Sequence, residues 1–365
     1  MMQDADKIKS LLSRKLTSWY RRNQRSLPWR KTGDPYRIWI SEIMLQQTQV
    51  DTVIPYYHRF LKAFPSVSRL AYAPLQDVLK VWENLGYYSR ARNLHAAAKV
   101  IVEKFSGQIP DNFEDIKSLP GIGQYTAGAI SSIAYGQNIP AVDGNVRRIL
   151  CRLFAIRKPI DDAKAHKQLQ TLAASLVPVK HPGDFNQALM DLGATICKAK
   201  NPDCSRCPVA DLCQARLRDL QNVLPITRKT PSVPHRQAAA AVIRNAKGML
   251  LVVQRPASGL LASLWKLPGG FVEADQDLKE SLKRNVKDEL GIYIRPGEHL
   301  ASVNHIYTHF RLTLHAYECR FLKGTPKPLG CQNWQWASLA DLKKLPLSKI
   351  DRMIVRQAED KCNEV

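Results

Sequence analysis

Residues 197–213 read CKAKNPDCSRCPVADLC, with Cys197, Cys204, Cys207 and Cys213 separated by six, two and five residues. No regular helix or strand brings all four sulfurs together, so this loop must fold around whatever it binds. Structural zinc sites usually pair two short Cys hooks across a longer insert. Only one short hook is present here, with a lone cysteine on either side. That pattern suits a 4Fe-4S cluster, whose cysteine ligation tolerates single, uneven spacings. Four of the chain's eight cysteines lie in this one loop, which argues against a chance set of buried thiols.

On either side of this loop the texture of the chain differs. Residues 5–220 read as mostly helical, with Ile8, Leu11, Leu12, Leu16 and Trp19 forming one apolar face near the start. Further helical patterns cover 36–62, 75–82, 90–105, 124–135, 145–155 and 164–177, punctuated by prolines. The stretch LPITRKTPSVPHR (224–236) has the composition of a stiff, extended linker. Beyond it AAAAVI, MLLVV and RLTLHAYECRFL have strand character, and DLKESLKRNVKDELG reads as a helix closed by Gly291. The expected organisation is an all-α helical domain over 1–223, a linker over 224–236 and an α+β domain over 237–365.

The 365 residues carry a net charge of +22. Residues 1–235 contribute +15 and the remainder +7, so both parts favour a polyanionic partner, with nucleic acid ahead of a membrane. No apolar run approaches the length of a membrane span, and no secretory stretch opens the chain. Thiols gathered for an iron centre favour a reducing compartment, and the expected location is cytoplasmic and nucleoid-associated.

Within the helical part, SLPGIGQYTAGAISSIA (118–134) is a helix end, a tight turn and a new helix. Gly121 and Gly123 permit close backbone approach to a phosphate, and the following helix N-terminus favours an anion. The segment about 112–135 thus has the form of a helix–hairpin–helix clamp on a DNA backbone. Asp143, in PAVDGNVRRIL, stands where a helix N-cap is expected. Glu42 lies in IWISEIML, apolar on nearly every side, so its carboxyl group should be desolvated and protonated near neutral pH.

Hairpin, aspartate and cysteine loop together resemble the helix–hairpin–helix DNA glycosylases of the endonuclease III superfamily, and within it the A/G-specific adenine DNA glycosylase (MutY) family. The likeness covers almost the whole chain and is carried by SLPWRKTGDPYRIWISEIMLQQTQV, WENLGYYSRARNL and FNQALMDLGATIC. It implies a 4Fe-4S cluster on the four cysteines and double-stranded DNA carrying A·8-oxoguanine or A·G mispairs as partner, bound by a monomer. Glu42 falls at the position of the catalytic acid, which would protonate adenine at N7. Asp143 falls at that of the carboxylate that stabilises or traps the oxocarbenium sugar, and Asn145 resembles a residue that positions water and sugar. Tyr125 stands where bifunctional relatives carry a Schiff-base lysine, so a monofunctional enzyme leaving an abasic site is expected. Trp29 and Arg30 resemble part of the adenine pocket, which must receive a flipped base. Gln47 and Tyr87 match residues that wedge into the stack beside the opposing base.

Residues 237–365 resemble the Nudix fold. The signature register gives Gly270, Gln276, Arg284, Asn285, Val286, Asp288, Glu289 and Gly291, with amides replacing two acids at Gln276 and Asn285. Loss of those carboxylates makes diphosphate hydrolysis doubtful and favours a recognition domain. Tyr307, Thr308 and His309 stand where the family reads 8-oxoguanine through a Phe-Ser-His loop. Ser258 and Gly259 correspond to a loop that approaches the backbone. The competing expectations are a thymine glycosylase of the same fold, a non-enzymatic iron–sulfur DNA-binding protein, and a nucleotide hydrolase driven by the second domain.

Overall fold

In the computed structural model, which describes residues 2–228 and 233–363, the chain divides into two compact units. One comprises residues 1–72 and 96–230, the other residues 73–95 and 231–365.

The helical elements are α1 (Met2–Asn23), α2 (Pro35–Leu45), α3 (Val50–Ala63), α4 (Val67–Tyr72), α5 (Leu75–Val81), α6 (Ser89–Phe105), α7 (Phe113–Ser118), α8 (Gln124–Tyr135), α9 (Gly144–Leu153), α10 (Ala163–Leu176), α11 (Pro182–Thr195) and the short α12 (Gln214–Leu217). In the first unit α2 packs on α8, while α11 packs on α1, α8 and α9. Leu12, Leu16 and Tyr20 of α1 meet Val146, Ile149, Leu150, Phe185 and Leu189 in one buried core. Ile8, expected on the same face, is half exposed and lies beyond that core.

The single helical pattern over 36–62 is two helices. α2 stops at Leu45, Gln46 turns extended, and Gln47 takes a left-handed φ of 57° before Gln49 starts α3. The polar run Gln46–Gln49 interrupts the apolar stripe, and the chain turns where there is nothing to bury. The stiff, extended linker expected over 224–236 also differs at its start. Leu224 is buried, its carbonyl accepts from Arg152 at 2.9 Å, and the Ile226 carbonyl accepts from Ile160, so this end is docked on the helical unit. At the far end His235 and Arg236 already belong to a strand, and 229–232 lie outside the described residues.

The second unit contains β1 (His235–Ile243), β2 (Leu250–Gln254), β3 (Trp265–Lys266), β4 (Gly269–Val272), α13 (Leu278–Leu290), β5 (Tyr293–Ile306), β6 (Arg311–Lys323), β7 (Asn333–Ala337), α14 (Leu339–Lys344) and α15 (Lys349–Asn363). One sheet has the order β4-β1-β6-β5, with β1 parallel to β6; the other has the order β3-β2-β7. Leu282, Val286 and Leu290 of α13 share a core with Ala239, Ala241 and Ile243. Ile350, Ile354 and Ala358 of α15, a helix not foreseen, share another with Ala238, Ala240 and Val242. Strand β1 is therefore apolar at consecutive positions because both its faces are covered. Gly291 closes α13 in the left-handed conformation, as expected.

Residues 73–95 group with this second unit, which differs from a helical domain running unbroken over 1–223. Polar contacts account for it. Gln76 exchanges hydrogen bonds with the Trp265 indole (3.0 Å) and the Ser263 carbonyl (3.1 Å), Arg92 donates to the Ala262 carbonyl, and Arg352 pairs with Glu83.

Candidate active site

A polar cavity of about 770 Å³ in the first unit is lined by Trp29, Arg30, Glu42, Tyr125, Asp143 and Asn145, six residues singled out from the sequence. They come from four separate local devices. Trp29 and Arg30 sit on a short 3-10 turn begun by Pro28, Glu42 on the buried face of α2, and Tyr125 in the first turn of α8. Asp143 is the N-cap of α9, its Oδ1 accepting from the Val146 amide at 2.7 Å.

The two carboxyl groups stand in unlike surroundings. Glu42 is only 5% exposed, and burial pushes its pKa up to about 7, opposed by a hydrogen bond from Tyr125 and raised further by the charge of Asp143. That bond runs from the Tyr125 hydroxyl to Oε2 at 2.8 Å and is the one side-chain hydrogen bond Glu42 receives among the described residues. Burial and the carboxylates beside it hold the Tyr125 phenol well above its usual range, so it stays a donor. Asp143 is met on both oxygens: Oδ2 accepts from the Asn145 amide at 2.9 Å.

Asn145 in turn accepts from Arg148 at 2.8 Å, and Arg148 also donates to the carbonyls of Gly193 and Cys197, both at 2.9 Å. A side chain at Gly193 would put its Cβ 2.6 Å from that of Asn145, so the glycine lets α11 approach the start of α9. Arg30 lines the cavity, but its guanidinium fork is spent on Asp191 (2.6 and 2.8 Å), which Arg25 also grips. Arg30 also donates to the Arg25 carbonyl at 3.2 Å, so it ties the 25–30 segment to α11 at the cavity wall. Arg25, Gln187 and Met190 also line the cavity, and Asp191 stands behind it on Arg25 and Arg30; FNQALMDLGATIC marks the segment that holds the last three, but only the pairing of α11 with the 25–30 segment brings them to the cavity.

In the hairpin, Gly121 adopts φ 76°, which favours glycine, and Gly123 caps α8. A Cβ at Gly123 would meet nothing within 4 Å, so no internal packing demands glycine there. Gln47 is exposed at the α2–α3 turn and does not line the cavity.

The cysteine loop is threaded by the buried Arg152, which donates to the carbonyls of Leu224, Lys198 and Ala199 and to Cys197 Sγ at 3.3 Å. Cys197, Cys207 and Cys213 pack against the helical core. Burial pushes the Cys207 thiol up to about 12, and the other three cysteines push it the same way, so four thiolates here require a positively charged centre among them. Among the described residues no trio of His, Cys, Asp or Glu is arranged around a single ion. The donor chemistry, four half-buried sulfurs within mutual electrostatic reach, fits an iron–sulfur cluster, which Cys197, Cys204, Cys207 and Cys213 would hold.

In the second unit Tyr87, Gly259, Tyr307, Thr308 and His309 line one cavity of about 660 Å³. The Tyr87 hydroxyl lies 3.1 Å from Thr308 Oγ1. The Tyr307 ring packs tilted against Phe310 (4.9 Å) and meets His305 edge-on (4.5 Å), while Thr308 and His309 are exposed. Ser258 is not among the residues lining this cavity.

A helix–hairpin–helix beside a dry carboxyl group and a four-cysteine loop defines the class of base-excision DNA glycosylases. The HhH-GPD superfamily base excision DNA repair pattern matches residues 40–175, the iron-sulfur binding domain of endonuclease III matches 197–213, and the NUDIX domain matches 239–357. The chain is 36% identical to the adenine DNA glycosylase of Rattus norvegicus over 95% of its length and 78% of that protein. It is also 36% identical to that of Homo sapiens, over 93% of this chain and 72% of the relative. A solved thermostable thymine-DNA glycosylase aligns at 31% identity, covering 59% of this chain and 99% of that one, with a TM-score of 0.55. This chain belongs to the adenine DNA glycosylase family. It is a DNA N-glycosylase of base excision repair with a helical catalytic part, an iron–sulfur cluster and a Nudix-like part.

Proposed function

We propose that the enzyme hydrolyses the glycosidic bond of adenine mispaired with 8-oxoguanine, and with guanine less well, without nicking the strand. The observation that carries this reading is the pair of unlike carboxyl groups at one cavity. Glu42, buried and raised to about 7, keeps a proton to give to adenine N7. Asp143, accepting on both oxygens, supplies the negative charge beside the sugar as the base departs and can bond to it before water completes the reaction. Asn145 holds that carboxylate in place, and Tyr125 keeps the Glu42 carboxyl oriented. A phenol at 125 forms no imine, which supports an abasic site as the product.

The exposed Thr308 hydroxyl and His309 imidazole, with Tyr87 beside them, are the groups we assign to reading the oxidised guanine. Gly121 and Gly123 would hold the phosphate backbone. We further place the enzyme, as a monomer, with chromosomal DNA in the cytoplasm.

Labelled duplexes carrying A·8-oxoguanine, A·G, G·T and thymine glycol, treated with enzyme and then alkali, test this. Breakage of the adenine strand alone, only after alkali and fastest opposite 8-oxoguanine, is expected. Breakage before alkali, or of the thymine-containing strands, would overturn it.

A further inference from the structure

In the second unit, Lys266 Nζ sits between both oxygens of Glu289, at 2.8 and 2.9 Å, and also donates to the Gly269 carbonyl. Both side chains are about nine-tenths buried. The Gly269 amide adds a fourth contact, to Glu289 Oε2 at 3.1 Å. A carboxylate approached through both oxygens, with a backbone carbonyl turned to the same point, is the donor set that a hard divalent cation collects. Here a covalently attached ammonium fills that point. Burial lowers the Lys266 pKa, an effect that the Glu289 charge and hydrogen bond oppose; Arg255 adds to the lowering and Asp351 offsets it.

The neighbouring amides are wired for the same outcome. Asn285 donates from Nδ2 to the Phe271 carbonyl at 3.0 Å, a bond that a carboxylate at that position cannot make. Gln276 spends its carbonyl on Arg284 and Ser281. Neither side chain is left as an anionic oxygen to draw a second charge to Glu289.

We propose that Lys266 is the resident cation of a vestigial metal site, closing the Gly269 turn onto the end of α13 and barring divalent ions. This rests on the reading of the second unit as a recogniser of DNA, and it names the residue that keeps that unit from becoming a metal-dependent hydrolase. The ammonium fixes β4 against α13 without a free-ion requirement, so this part of the enzyme works without magnesium.

The test is Mn²⁺ titration of the full-length, cluster-bearing protein by electron paramagnetic resonance. Lys266→Met is expected to gain one Mn²⁺ site per chain, about tenfold or more tighter than any in the unaltered protein. Adding Glu289→Gln to Lys266→Met should abolish that site. Equal Mn²⁺ binding by the unaltered protein, or a folded Lys266→Met that gains no site, would overturn the proposal. Should Lys266→Met alone fail to fold, Lys266→Met/Glu289→Gln, which removes both charges, is expected to fold; failure to recover overturns it equally. Adenine release opposite 8-oxoguanine and guanine, measured on the same preparations, separates the two readings: loss of the 8-oxoguanine preference in the unaltered protein would contradict the proposed function and leave the Mn²⁺ result standing.

Discussion

Glu42 and Glu289 are both buried glutamates, one in each unit, and they have opposite fates. Glu289 has a lysine ammonium between its oxygens, and the pair satisfies itself. Among the described residues Glu42 hydrogen-bonds to the phenol of Tyr125, and burial lifts its pKa to about 7 although the more distant Arg30 charge pulls it down. Burial alone therefore does not settle what a carboxyl group does. A lysine beside a buried carboxyl group compensates its charge, whereas beside a neutral donor burial favours the protonated form. The proposed acid role of Glu42 rests on that difference.

The largest effect that would break the contrast is in the first unit. Glu42→Gln and Asp143→Asn should each slow adenine release by roughly 10²–10⁴-fold while leaving affinity for the mispaired duplex nearly unchanged, measured by single-turnover kinetics and binding. Retained turnover in either would end the two-carboxyl scheme. Next comes pH. In the proposed scheme the protonated form of Glu42 is the working one, so the single-turnover rate should hold below about 7 and fall about tenfold per unit above it. The stability linkage has the same sign. The folded state binds this proton more tightly than the unfolded one, so stability falls as pH rises from about 4.5 through about 7. Above that range the ionised, buried carboxylate destabilises the fold by on the order of 3 kcal/mol. Glu42→Gln should therefore melt higher than the unaltered protein at pH 8, and the gap should vanish near pH 5.

A smaller effect concerns the cysteine loop. Arg152→Met removes the donor that serves the buried Leu224 carbonyl, the half-buried carbonyls of Lys198 and Ala199, and Cys197, so loss of roughly 2–4 kcal/mol and of iron on purification is expected. Iron and sulfide assay with a melting curve checks it. The smallest effect is in the second unit. Thr308→Val removes the hydroxyl beside Tyr87 and should lower the preference for 8-oxoguanine over guanine by about tenfold or less, with the rate on A·G unchanged.

What could be read from the sequence was whatever is local. The cysteine spacing, the glycine hairpin and a glutamate in an apolar helix all announce themselves within a dozen residues. Asp191, by contrast, meets Arg30 across 161 residues of chain, and nothing near either shows the pairing. Arg148, Arg152 and Lys266 were hidden for the same reason: a lone basic residue reads as surface until its distant partner is known. The break after α2 was hidden differently, because the four polar residues Gln46–Gln49 suit the solvent face of one long helix as well as a turn between two. Tyr307 matched a position by sequence, yet its ring is taken up by Phe310 and His305, a choice made by side chains rather than by register.

The contrast between the two glutamates reduces to one proton. Infrared difference spectra of the unaltered protein against Glu42→Gln, followed from pH 5 to pH 9, isolate the Glu42 carboxyl stretch. A protonated carboxylic band that persists through pH 6 and converts to carboxylate with a midpoint of about 7 is the expected result. A carboxylate band already complete at pH 5 would show that burial does not keep the proton on Glu42, and the proposed acid would have none to give.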